Sequence, residues 1–126
     1  MKPVVYDAAV LVAADRNNRR VWAEHRVRLE AGILPAVPAA VVAQVSRGPR
    51  QVQLRRFLRG CEVLPLDEAA AHRAGVILAQ SRTADVVDAS VADAAVRTHS
   101  DVLTADVEDI GRLVARSGVD IDVIPV

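Results

Sequence analysis

The stretch Val4-Val5-Tyr6-Asp7-Ala8-Ala9-Val10 decides how this chain is read. It is a short apolar strand ended by one acid, with a helical pattern starting straight after. Asp7 therefore falls at the carboxyl end of a buried strand, where open α/β sheets bind ligands. A carboxylate buried without a partner is expensive. Asp7 must either cap the helix that follows or bind a cation.

The rest of the chain continues the alternation. Strands are expected at 3–7, 33–37, 62–66, 101–105 and 121–125, and helices at 8–14, 19–31, 38–47, 50–59, 67–81, 85–99 and 106–117. Gly32 and Gly118 read as helix stops, Pro38 as the first turn of a helix, and Asp67 as an N-cap. Pro35 suggests that the second strand is an edge or ends there. Strands alternating with helices argue for right-handed βαβ units and a parallel sheet. Composition agrees: 52 % of residues are hydrophobic but only 2 % aromatic, so Val, Ala, Leu and Ile must fill the core. That diet suits parallel strands covered by helices on both faces. A chain of 126 residues makes one domain, with a radius of gyration of roughly 14 Å.

Cys61 is the only cysteine. This excludes an intrachain disulfide and a cysteine-based zinc site and makes the cytoplasm the default expectation. No signal-peptide pattern opens the sequence, and no apolar run is long enough for a bilayer. The net charge is zero, but it is unevenly spread. From Ser46 to Gly60 there are five arginines (Arg47, Arg50, Arg55, Arg56, Arg59) and no acid. From Asp85 to Asp109 there are seven acids against Arg97 alone. The arginines suit phosphate contacts with RNA, a solvated helix face, or pairing with an acidic partner.

The acids fall at three corners. Asp7 is the first. Asp85 and Asp88 are the second, at a spacing that places both on one helix face. Asp106 and Asp109 repeat that spacing after the fourth strand. Taken singly, Asp85 and Asp106 are ordinary N-caps, and Asp88 and Asp109 suit the helix dipole. Together they say more. If the first strand lies beside the fourth, Asp7 and Asp106 become neighbours, and the helix from Asp85 can bring Asp88 to them. Carboxylates about 4 Å apart repel by about 4 kcal/mol per pair at an effective dielectric of 20. A divalent cation with hard oxygen ligands, Mg²⁺ or Mn²⁺, offsets this. Such a site activates water and stabilises charge on a phosphodiester.

With Val5-Tyr6-Asp7-Ala8, Val41-Val42-Ala43-Gln44-Val45-Ser46-Arg47-Gly48, Asp85-Val86-Val87-Asp88-Ala89 and Leu103-Thr104-Ala105-Asp106-Val107-Glu108-Asp109-Ile110 in this order, the chain resembles PIN-domain proteins. Among them it looks most like the VapC-type toxin ribonucleases of bacterial toxin–antitoxin pairs. The resemblance implies a three-layer α/β/α domain with a central parallel sheet of four to five strands. It implies a Mg²⁺-dependent endoribonuclease, with Mn²⁺ able to substitute, that cleaves RNA phosphodiester bonds through a metal-activated water. It also implies a homodimer and a small antitoxin that occupies the site. Carried across, Asp7, Asp88 and Asp106 match the metal-binding aspartates, Asp85 and Asp109 are helpers, and Thr104 matches a hydroxyl near the last acid. One position departs from the pattern: the usual glutamate of the third helix is Gln44. Glutamine can ligate a metal or its water without charge, so the rival implication is a PIN-like protein that binds RNA or a partner with weak or lost cleavage.

Other readings fare worse. A phosphoacceptor receiver domain needs adjacent acids after the first strand and a late lysine, whereas Ala8-Ala9 follow Asp7 and Lys2 is the only lysine. A DxD phosphatase needs a second acid two residues after Asp7. His25, His72 and His99 are expected on the surface. Tyr6 and Trp22 are expected to pack, Trp22 alternatively marking a partner groove, and Cys61 to be a small buried hydrophobe.

Overall fold

Val4, Val5 and Tyr6 are all buried and form β1 (Val4–Tyr6), the middle strand of a computed structural model describing residues 1–126. The other strands are β2 (Ala36–Pro38), β3 (Glu62–Leu64), β4 (Asp101–Thr104) and β5 (Val123–Pro125). All pair in parallel, in the order β3-β2-β1-β4-β5. The helices are α1 (Ala8–Asp15), α2 (Arg19–Glu30), α3 (Ala39–Val45), α4 (Val52–Arg59), α5 (Glu68–Ser81), α6 (Val86–Thr98) and α7 (Val107–Ala115). The chain runs from β1 outward to β3, then returns to β4 and β5. With right-handed crossovers this reversal places the first four helices on one face and the last three on the other. The packing follows: α1 lies against α3 and α4, and α6 against α5 and α7. The point of reversal lies between β1 and β4, where Val4, Val5 and Tyr6 pair with Asp101, Val102 and Leu103.

The core is the aliphatic one the composition demands. Val5, Leu11, Val37, Val41, Val91, Val102 and Ile110 are inaccessible to solvent, each contributing roughly 1.5–3 kcal/mol by burial. Helix α6 is buried without a break from Ala89 to Ala95, which its run of small residues permits.

The few aromatic rings gather in one place. Tyr6 stacks on Phe57 with centroids 5.5 Å apart, and Trp22 meets Phe57 edge-on at 5.1 Å. The Trp22 indole N–H donates to the Ala14 carbonyl at 3.0 Å, which ties α2 to α1 within the domain. His25 corrects the expectation of a surface residue: it is buried, 4.0 Å from Phe57 between centroids. Its Nδ1 is 2.9 Å from the Tyr6 hydroxyl. The inward stripe of α2 is short, and a neutral imidazole one turn from Trp22 completes it. Burial and the nearby Arg28 push the His25 pKa down to about 4. His72 and His99 are exposed, as expected. Cys61 is half-buried, and burial raises its thiol pKa to about 12.

Several boundaries differ from the sequence reading. Strand β2 starts at Ala36, ends on Pro38, and is internal rather than an edge. Pro35 is tolerated because it precedes the strand, where its carbonyl accepts the Glu62 N–H at 2.8 Å. Pro38 is extended (φ −60°, ψ 140°) and serves as the N-cap of α3 rather than its first turn. The edge strands are β3, with Glu62 and Val63 exposed, and β5. No helix is long and apolar enough to cross a membrane.

Candidate metal centre

Strands β1 and β4 end side by side, and their last hydrogen bond, Asp7 N–H to the Leu103 carbonyl at 3.0 Å, sets Asp7 beside Thr104. Asp7 is buried and, of the two roles the sequence allowed, takes the first, capping α1, while its second oxygen stays engaged with β4. Its Oδ1 accepts the Ala8 N–H at 2.8 Å at the start of α1. Its Oδ2 accepts the Thr104 hydroxyl at 2.6 Å. Thr104 is fully buried, and its Oγ1 in turn accepts the Asp106 N–H at 2.9 Å. One hydroxyl thus fixes the orientation of the first acid and the backbone of the third.

Asp106 sits at the N-cap position of α7, but its side chain makes no capping bond. Its backbone (φ −102°, ψ 57°) departs from the extended form that the capping residues Asp7, Asp67 and Asp85 adopt. Asp85 does cap: its Oδ1 accepts the Asp88 N–H at 3.0 Å. That fixes the first turn of α6, from which the half-buried Asp88 reaches the strand ends.

The result is one cluster. Carboxylate oxygens of Asp7, Asp88 and Asp106 lie within 4.8 Å of one another. Desolvation, then the charges of Asp85, Asp7, Asp106 and Asp109, push the Asp88 pKa up to about 6. At neutral pH it is therefore mostly ionised, in a field of like charge. The donors suit a hard divalent cation: three carboxylates, one buried, one half-buried and one exposed. Mg²⁺ takes such carboxylate oxygens and keeps several waters, so Asp7, Asp88 and Asp106 would be the residues to hold it.

The remaining candidates lie around this centre. Asp109 is exposed, 3.5 Å from Arg112 in an ion pair on α7, and acts on Asp88 through its charge. Gln44 is exposed on α3, a helix packed against both α1 and α6, which begin beside Asp7 and Asp88. A cleft of about 800 Å³ lies between α1, α2 and the ends of β4 and β5. Arg16, Arg20 and Arg28 line it, as do Ala9 and Leu103. These three arginines precede the arginine run noticed in the sequence. Their signal was the one-sided charge of residues 16–30.

No family model matches the sequence, and no curated protein matches it. Solved structures do. One is a chain of VapBC2 from Rickettsia felis, crystallised bound to a DNA fragment from their promoter. It superposes with a TM-score of 0.67 at 15 % identity, over 98 % of this chain and 96 % of that one. Another belongs to a toxin–antitoxin complex from Klebsiella pneumoniae, with a TM-score of 0.65 at 16 % identity, over 84 % of this chain and 88 % of that one. At such identities the likeness is one of fold: this chain has the PIN-like α/β fold found in these toxin–antitoxin assemblies.

Proposed function

We propose that the protein is a divalent-metal-dependent endoribonuclease and the toxin of a toxin–antitoxin pair. The observation that carries this is the convergence of Asp7, Asp88 and Asp106 at the reversal point of a toxin-like fold. These three carboxylates would hold Mg²⁺, or Mn²⁺ in its place. When bound, the metal supplies a water of lowered pKa and positive charge to stabilise a phosphodiester under attack. The chain's own residues prepare for this. Thr104 holds the Asp7 carboxylate in one orientation and pins Asp106. Asp85 fixes the start of α6 and so the reach of Asp88. Asp109 adds negative charge that favours a cation, and Gln44 offers a neutral oxygen from α3.

One solved structure of this fold belongs to a toxin–antitoxin complex and the other to VapBC2 bound to promoter DNA, which supports a small antitoxin as partner here. A homodimer belongs to the same reading, and so does a cytoplasmic setting. Purified protein should cut a labelled RNA pool into discrete fragments with Mg²⁺ or Mn²⁺. Cleavage should cease with EDTA and in Asp88→Asn. Cleavage that persists in folded, metal-free Asp88→Asn refutes the proposal. The uncharged Gln44 favours a second reading, a scaffold that binds RNA or a partner with little cleavage. Gln44→Glu separates the two: a large gain from near-zero activity supports the scaffold, and a small change supports a working glutamine.

A further inference from the structure

The acidic centre repels the substrate proposed for it, so the affinity for a polyanion must come from elsewhere on the chain. Residues 16–59 carry ten arginines against Glu24 and Glu30. Because the whole chain is neutral, this excess of eight positive charges is matched by eight negative ones outside that segment. Only Arg20 of the ten pairs with a carboxylate, Glu24, at 3.0 Å.

Seven of these arginines stand on two helices that touch, α2 and α4. Helices α2 and α4 touch through Trp22 against Phe57, and Gly60, just after α4, lies close against His25. The guanidinium of Arg56 lies over the Trp22 ring, 5.5 Å from its centroid, and so covers the seam. Arg19, Arg26, Arg55, Arg56 and Arg59 are all exposed on these two helices. The cleft beside them carries Arg16, Arg20 and Arg28 against Glu24, and its wall includes Ala9, two residues after Asp7, and Leu103, next to Thr104 in sequence.

We propose that the α2–α4 surface is a phosphate-binding platform that holds single-stranded RNA and feeds it along this cleft to the acidic cluster. The proposal deepens the ribonuclease reading and rests on it. Arginine forks match phosphate oxygens bidentately, and phosphate contacts position a strand without reading its sequence. An acidic protein partner fits less well. Stable protein interfaces have a contiguous apolar centre inside a polar rim; here Arg56 covers the aromatic seam, and the exposed apolar residues Val27 and Leu29 alternate with Arg26 and Arg28, with Val52 the one on α4.

The test is a binding measurement. A fluorescent RNA of mixed sequence, about 16 nucleotides long, is titrated into Asp88→Asn protein in Mg²⁺ buffer over a range of salt. Arg19, Arg26 and Arg59, which have no carboxylate partner, are then replaced together by glutamine. If each holds one phosphate, the salt slope falls by about 2 and affinity at 0.15 M salt by about 50-fold. Unchanged slope and affinity overturn the proposal. So does competition by poly-glutamate as strong as that by unlabelled RNA, which assigns the surface to an acidic protein. Cleavage distinguishes the two readings. An active wild type whose triple variant binds and cuts equally well removes the platform and leaves the ribonuclease. A triple variant that loses RNA binding in a protein that never cleaves keeps the platform and removes the ribonuclease.

Discussion

Replacing Asp88 by asparagine should make the metal-free protein more stable. Asp88 donates its backbone N–H to Asp85, and that bond survives the change. What is lost is a carboxylate whose oxygens come within 4.8 Å of those of Asp7 and Asp106. One such pair repels by about 3.5 kcal/mol at a dielectric of 20 and about 0.9 kcal/mol in water. The rise in the Asp88 pKa from 3.8 to about 6 corresponds to about 3 kcal/mol for a fully buried group. Asp88 is only half-buried, and solvent screening reduces this to about 1–2 kcal/mol. The sign follows from proton linkage. The folded protein keeps the Asp88 proton between pH 4 and 6, where the unfolded chain has lost it, so this group's contribution falls as pH rises through that window. The gain from Asp88→Asn should therefore be full at pH 7.5 and shrink to about a third at pH 4.5. Urea denaturation in EDTA at the two pH values measures it, and the melting temperature at pH 7.5 should rise by about 4–8 °C. Mg²⁺ should raise the wild type more than the variant and narrow the gap. A variant no more stable than the wild type at pH 7.5, or equally stabilised at both pH values, refutes the reasoning.

Thr104→Val should cost about 2–3 kcal/mol, because it leaves the buried Asp7 carboxylate one donor short and frees the Asp106 N–H; Thr104→Ser should restore most of it in the same urea titration. Gly60→Ala should destabilise by about 1–3 kcal/mol, since a Cβ there would meet His25 Nε2 at 2.8 Å and Leu29 Cδ1 at 3.0 Å; a melting temperature equal to wild type would show that the contact yields. His25 is held neutral with its pKa lowered to about 4, so the unfolded chain takes up its proton first and stability should fall as pH drops from 6.5 to 4. His25→Gln should flatten that part of the urea-midpoint profile, and an unchanged slope would assign the acid sensitivity to other groups.

By itself the sequence determined the elements and their order. Apolar runs such as Val4–Tyr6 can only be strands covered on both faces, and Asp67 and Asp85 announce their helices because capping is a local bond between near neighbours. It also singled out the acids that the fold brings together, through their recurrence after strand and helix starts. What it left conditional was the strand order. Nothing within β1 or β4 states that they pair, because that pairing is the outcome of crossovers on opposite faces, and only it brings Asp7 to Thr104 across 97 positions of chain. Local rules misled where tertiary packing overrode them. Asp106 reads as a cap but is turned into the cluster by the Thr104 bond. His25 reads as polar surface but is drawn under α4 by Tyr6 and Phe57. The arginines of α2 and α4 are far apart in sequence, and only the aromatic seam between the two helices makes them one surface.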